Sequence, residues 1–282
     1  MNSRPKALEI LRQAGELPDE RVDLAETALA LAALDRPDMP FEPYRRHLAE
    51  LAAQVADEAG QGEDPDLSAR VAALHRVLVE RHGYRGDSTT YDDMENANFM
   101  RVIDRRQGLP VALGIVYLHA ARAQGWDMVG LNFPGHFLVR LESGGDRVIL
   151  DPFASGLPRE THELRELLKQ AAGLTAELTP DRYAPVSNRE ILLRLQNNLK
   201  LRHLRNNRAD LAVEVVDSML LFAPEHPALW RECGLLNAHV GNITAALRAF
   251  ETFMEQGARL GASPQLLHQT AILMQQLKTR LN

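Results

Sequence analysis

The chain has little cysteine, no long apolar run and no surplus of positive charge, and each lack removes a class of protein. A single cysteine, Cys233, excludes an intramolecular disulfide and any paired-cysteine metal site. No stretch reaches the ~18 consecutive apolar residues of a membrane span. Met1 to Leu17 mixes charged and apolar residues and lacks the basic start and apolar run of a signal peptide. The formal charge of −6 gives no generic attraction to nucleic acid, which needs a basic face. What remains is ordinary soluble composition, 45% hydrophobic and 25% charged, over 282 residues. That length suits two or three units with a sizeable core. A reducing cytoplasm is the expected compartment, and neither a metal nor a cofactor is expected.

From about Lys6 to Glu80 the apolar period is helical. Pro18-Asp19-Glu20 opens a helix carrying Val22, Leu24, Ala25, Ala28, Leu29 and Ala32, which Asp35-Arg36-Pro37 stops. A second helix runs from Pro43 to Gly60-Gln61-Gly62. A third runs from Asp64-Pro65-Asp66 to His82-Gly83. Tyr84 to Asn98 is a polar loop, and a long polar loop beside a core is often functional. Leu109 to Ala123 reads as a helix buried nearly all round, with Pro110 in its first turn and Gly125 closing it.

Three short strands follow, Met128–Asn132, His136–Leu141 and Arg147–Leu150, the last two a hairpin over Glu142 to Asp146. Pairing Val139 with Leu150 and Leu141 with Val148 places Phe137, Val139, Leu141, Val148 and Leu150 on one buried face. The same register puts His136 and Asp151 together on the other face, at a diagonal of roughly 7–8 Å between backbones. A carboxylate on one imidazole nitrogen fixes the tautomer and raises basicity at the other, which is half of a nucleophilic site. A purely structural His–Asp hydrogen bond explains the same pattern. Two ligands alone do not make a metal site.

The nucleophile that would complete the site belongs at the start of the buried helix, where free amides and the helix dipole lower a thiol pKa. That place holds Pro110, Val111 and Ala112, none of which can attack. Ser88, Thr89, Thr90 and Ser155 are nearby hydroxyls, but none stands at a helix start. Cys233 falls where a helix packs inside, the usual place of a free thiol. Asn96 and Asn98 are candidate amide donors toward His136, although turn and N-cap roles are commoner for Asn in such positions. Arg101, Arg105 and Arg106 form a basic cluster that reads as a solvated face.

Pro158 to Ala172 is a further helix. Beyond Ser187 the chain is helical with an internal repeat: Ala212 and Ala246, and likewise Asn207 and Gly241, recur at a spacing of 34 residues. With Trp230, Gly234 and Phe250 this resembles the tetratricopeptide repeat, and Gln265 to Leu281 reads as a capping helix.

The run from Asn96 through Arg105-Arg106-Gln107-Gly108-Leu109-Pro110-Val111-Ala112-Leu113, then Asn132-Phe133-Pro134-Gly135-His136-Phe137-Leu138-Val139-Arg140, then Leu150-Asp151-Pro152-Phe153, resembles the SirB family. Those are bacterial proteins with a transglutaminase-like core followed by tetratricopeptide repeats. The resemblance implies an α+β, mostly α chain: a papain/transglutaminase-like core with a small antiparallel sheet, flanked by an N-terminal helical region and C-terminal repeat helices. The expected segments are 1–83, 84–186 and 187–282. Active relatives use Cys, His and Asp. The His and Asp carry over as His136 and Asp151, and the Cys position falls within Pro110 to Ala112. The resulting expectation is a non-catalytic binding or regulatory protein with a protein or peptide partner on its repeats. The alternative is an unconventional hydrolase or acyl-transfer enzyme working from His136 and Asp151 without a thiol.

Overall fold

Pro110 at the first helical position needs no amide partner and presets φ, and extended Leu109 before it caps α6, Pro110–Arg122. No charged residue interrupts α6 until its last turn, and residues 110–118 are all buried. Each buried Leu, Ile or Val side chain stabilises by about 1.5–3 kcal/mol, so this helix is the centre of the core. The computed structural model describes residues 2–60 and 65–279. Gln61, Gly62 and Asp64, read above as helix boundaries, and Leu281 of the capping helix lie outside the described residues.

The chain divides into two compact units, one of residues up to Ile10 with Pro18–Leu195, the other of Leu11–Leu17 with residues from Gln196 onward. Helix α1 is Arg4–Glu16. The helix expected to open at Pro18 instead begins as a single turn, Asp19–Arg21, and restarts as α2, Leu24–Asp35. The cause is Asp23, which takes an extended conformation and caps α2 by accepting from the Glu26 amide at 2.9 Å. Helices α2 and α3, Glu42–Ala59, pack on α6. Helix α4, Leu67–Leu74, continues as a wider π turn through His75–Arg81. Arg85–Gly86 (β1) pairs in parallel with Gln107–Gly108 (β2), and α5, Phe99–Arg105, lies between them in sequence.

Strands β3, Asp127–Leu131, β4, Leu138–Ser143, and β5, Asp146–Asp151, form an antiparallel sheet. Short edge strands β6, Leu157–Pro158, and β7, Pro185–Val186, complete the order β6-β5-β4-β3-β7. Val139 pairs with Leu150 and Leu141 with Val148, the register that the hydrophobic alternation required. The hairpin is tighter than the expected loop, because Gly144 and Gly145 take φ of 62° and 92°, conformations suited to a two-residue turn. The alternation pattern suggested one buried face, but both are covered. Phe137 meets Gly114 of α6 on one side. On the other, Leu131, Phe133 and Leu138 pack against Leu164 and Leu168 of α7, Thr161–Ala172.

Helix α8, Asn188–Arg205, leads into the second unit, which also holds α9, Ala209–Phe222, α10, Pro227–His239, α11, Ile243–Leu260, and α12, Pro264–Thr279. The residues that marked the repeat meet here: Gly234 leaves room for the Phe250 ring, and Trp230 donates to the Pro224 carbonyl at 2.8 Å. Ala246, Leu247, Phe250 and Leu277 form a small core.

A side chain at Gly114 would overlap the Phe137 ring. Alanine is the better helix former by about 1 kcal/mol, but overpacking costs about 1–3 kcal/mol. Gly114→Ala is therefore expected to lower the urea unfolding midpoint, and a raised midpoint would contradict this packing.

Candidate active site

His136 stands between a turn and a strand, and the turn is built to place it. Gly135 before it has φ of 69°, and a Cβ there would come within 2.6 Å of Ala171 on α7, so only glycine fits. The Asn132 amide donates to the Ala184 carbonyl at 2.8 Å. From α8, the largely buried Arg194 donates Nη2 to the Phe133 carbonyl at 2.8 Å and also to the carbonyl of His136 itself. The same guanidinium lies 5.6 Å from the centre of the Phe137 ring. Arg194 thus fixes the backbone on both sides of the imidazole.

Asp151 closes β5, is 1% exposed, and receives five donors. Its Oδ1 accepts from His136 Nε2 at 2.8 Å and from the amides of Phe153 and Ala154 at 3.1 and 3.2 Å. Its Oδ2 accepts from Arg159 Nε and Nη2 at 3.1 and 2.9 Å. Arg159 extends the array by donating Nη1 to Glu163 at 3.0 Å. Burial by itself would raise the Asp151 carboxyl. The hydrogen bond and charge of His136, then Arg159 and the Ala154 amide, outweigh it and hold the group below the ordinary carboxylate range. With Nε2 engaged by the carboxylate, Nδ1 is the ring nitrogen left for a ligand or a proton.

The wall beside the imidazole is aromatic. Phe153 meets His136 edge-on with ring centres 6.0 Å apart, and Tyr91 meets Phe153 edge-on at 5.8 Å. Tyr91 is 41% exposed and comes from the polar loop after β1. That loop is braced by Asp87, whose Oδ2 accepts from the Thr90 hydroxyl at 2.6 Å and from Arg105 at 3.0 Å. The Thr90 hydroxyl and amide pull the Asp87 carboxyl down to about 2.

At the start of α6, Pro110, Val111 and Ala112 are buried and carry no nucleophile. The Leu109 amide before them donates to the Asn96 carbonyl at 3.0 Å. The two Asn candidates are placed otherwise than expected. Asn96 is fully buried, donates Nδ2 to the Thr90 carbonyl at 2.7 Å and accepts from Arg105 at 3.3 Å. Asn98 caps α5 by accepting from the Arg101 amide at 3.2 Å, and its Nδ2 reaches the Ala32 carbonyl at 3.2 Å. These bonds brace the loop and the helix start, and neither amide carries a bond to His136 among the described residues.

Of the other candidate attackers, Thr90, Tyr117 and Cys233 are engaged or shielded, whereas Ser88 and Thr89 are exposed and Ser155 is half-buried. The Thr90 hydroxyl is bonded to Asp87. The Tyr117 hydroxyl, which Gly156 closely approaches, is buried without a hydrogen-bond partner among the described residues. Burial and then the Asp151 charge push its pKa up, so a phenolate is disfavoured. Cys233 is buried in the second unit, and burial and then Asp217 push its thiol up to about 12. Among the described residues no three His, Cys, Asp or Glu side chains are grouped to hold a metal. None of the described helices is long and apolar enough to cross a membrane.

Arg159, Arg194, Phe153 and Tyr91 were not singled out from sequence. Arg159 lies eight positions beyond Asp151, past a turn, and Arg194 lies on a helix whose contact with the His136 turn no local period encodes.

A buried helix, then a strand led by His, then a strand ended by Asp, followed by paired repeat helices, defines a transglutaminase-like protein with a tetratricopeptide region. Residues 42–197 match the model of the transglutaminase-like superfamily, and residues 199–280 match a tetratricopeptide repeat. A UPF0162 protein of Xylella fastidiosa is 31% identical over 84% of this chain and 85% of its own. A UPF0162 protein of Pseudomonas aeruginosa is 31% identical over 93% and 96%, and Protein SirB1 of Salmonella typhimurium is 26% identical over 87% and 91%. The chain belongs to the SirB1/UPF0162 family of transglutaminase-like proteins. Among solved structures, menin aligns over 92% of this chain and 71% of its own with 11% identity and a TM-score of 0.38, too slight a likeness to carry an argument.

Because the Asp151 pKa is depressed in the folded chain, its stabilisation is complete above the unfolded value of about 3.9 and is lost as pH falls through the lower folded value. Between pH ~5 and ~2 the wild type is expected to lose more unfolding free energy than Asp151→Asn. Parallel pH profiles in urea titrations would show the contact to be without energetic effect.

Proposed function

We propose that this chain is a non-catalytic binding or regulatory protein built on a Cys-less transglutaminase-like site. The observation that carries this reading is the contrast within one core. His136 and Asp151 are held at 2.8 Å with five donors on the carboxylate, while Pro110, Val111 and Ala112 leave the helix start without a nucleophile. An ordered imidazole with no hydrogen bond at Nδ1 among the described residues, beside Phe153, which Tyr91 in turn meets edge-on, suits recognition of a ligand's hydrogen-bond donor. The tetratricopeptide helices would bind a protein or peptide partner, as such repeats generally do, and Leu201, Leu235 and Ile272 leave apolar surface on them. A reducing cytoplasm suits the single buried thiol.

Catalysis without a thiol needs His136 to activate water or a hydroxyl. Thr90 is committed to Asp87 and Tyr117 is buried, which weighs against either of these hydroxyls as the attacker. In well-studied triads, loss of one member leaves only the residual acceleration of binding and oxyanion stabilisation.

The test is turnover of model glutaminyl amides and activated esters by the full chain, with His136→Ala as reference. Rates equal to the His136→Ala background are expected. Turnover at least about tenfold above it (1.4 kcal/mol) would restore the enzymatic reading.

A further inference from the structure

On the α7 face of the sheet, next to the Arg159–Asp151–His136 array, three guanidinium groups surround one cavity. Arg140 of β4 lies opposite Ile149 of β5, and the Arg159 amide bonds the Ile149 carbonyl at 2.8 Å, so Arg140, Ile149 and Arg159 form a row across the sheet. Arg147 shares that face because its partner in the ladder is Glu142, two residues from Arg140. The three arginines line a cavity of about 230 Å³. Its apolar lining includes Ile149, Leu178 and Tyr183, and Glu160 is the one carboxylate among its lining residues.

Two of the three guanidinium charges are met by carboxylates, and that of Arg147 is not. Glu160 is engaged in the capping box of α7, where its side chain accepts from the Glu163 amide. Arg140 gives Nε to Glu142 at 2.6 Å. Arg159 is shared between Asp151 and Glu163. Arg147 is exposed and makes no ion pair among the described residues. In a chain of net charge −6, this cavity thus gathers three arginines, one of them without an ion pair among the described residues, beside apolar side chains. Guanidinium is a planar donor fork matched to carboxylate, and an apolar floor is matched to a hydrocarbon body.

We infer that this cavity binds a small organic acid, a carboxylate carried on an apolar body, and that Arg159 connects the site to His136. The acid's carboxylate is held by Arg147 and Arg140 and its body lies against Ile149, Leu178 and Tyr183. Arg159 borders the cavity and also grips Asp151 Oδ2, so an anion drawing on its guanidinium alters the carboxylate that orients the imidazole. The inference concerns a site other than the imidazole's and does not rest on the role proposed there.

The test is titration of the full chain with 3-phenylpropanoate by calorimetry and by NMR of the histidine side chains, with 3-phenylpropanamide and inorganic phosphate as comparison probes. Saturable binding of the acid is expected, with the neutral amide about tenfold weaker or more. Arg147→Ala should weaken the acid at least about fivefold without moving the unfolding midpoint, since Arg147 is exposed. Leu178→Ala should weaken it as well. Equal binding of acid and amide, unchanged affinity in Arg147→Ala, or phosphate binding as tightly as the acid would overturn the assignment. Binding retained in Arg147→Ala but lost in His136→Ala would move the acid to the imidazole, and so would also overturn it. The His136 resonances should shift on saturation, and binding that leaves them unmoved would overturn the link through Arg159.

Discussion

The hydrogen bond between His136 Nε2 and the buried Asp151 carboxylate is the constraint on which the site depends. A buried carboxylate left without partners is costly, and breaking a buried charge pair typically loses about 3–5 kcal/mol. The fold meets that cost with two backbone amides from the turn after β5 and with Nε and Nη2 of Arg159. So much support for one carboxylate makes it a fixed anchor, and the imidazole takes its orientation from it. Arg194 and Gly135 then fix the backbone that presents the ring.

The orienting half of a nucleophilic site is therefore built in full, whereas Pro110, Val111 and Ala112 at the start of α6 carry no nucleophile. A carboxylate–imidazole pair without a nucleophile is still a directional acceptor on a rigid frame. Family membership secures the scaffold and the repeats, but fold does not confer chemistry. The reading proposed for it, a binding protein, comes from the residues present at the start of α6 and from the engaged Thr90 and buried Tyr117 hydroxyls.

Much of this was legible in the residues. Two-residue alternation around Val139 and Leu150 sets the register of the hairpin, and that register brings His136 and Asp151 to one face. The unbroken apolar run after Pro110 marked the central helix. What was not legible depends on distant segments. The α7 layer over Leu138 turned a supposedly open sheet face into a second core, which the strand pattern alone does not encode. Asp23 broke the first expected helix because a capping side chain outweighed a continuous apolar period. Asn96 and Asn98 were candidates for the pocket on position alone, and their partners, Thr90 and Ala32, were set by a loop and a helix far from His136 in sequence.

The most direct test of the central claim is the tautomer of His136, read by two-bond nitrogen–proton NMR on the histidine-labelled full chain at a pH where the ring is neutral, with His136→Gln to assign it. The expected result is a proton on Nε2, donated to Asp151, with Nδ1 bare as the acceptor. A proton on Nδ1, or rapid averaging between the two nitrogens, would mean that Asp151 does not orient the ring and would contradict this description of the site.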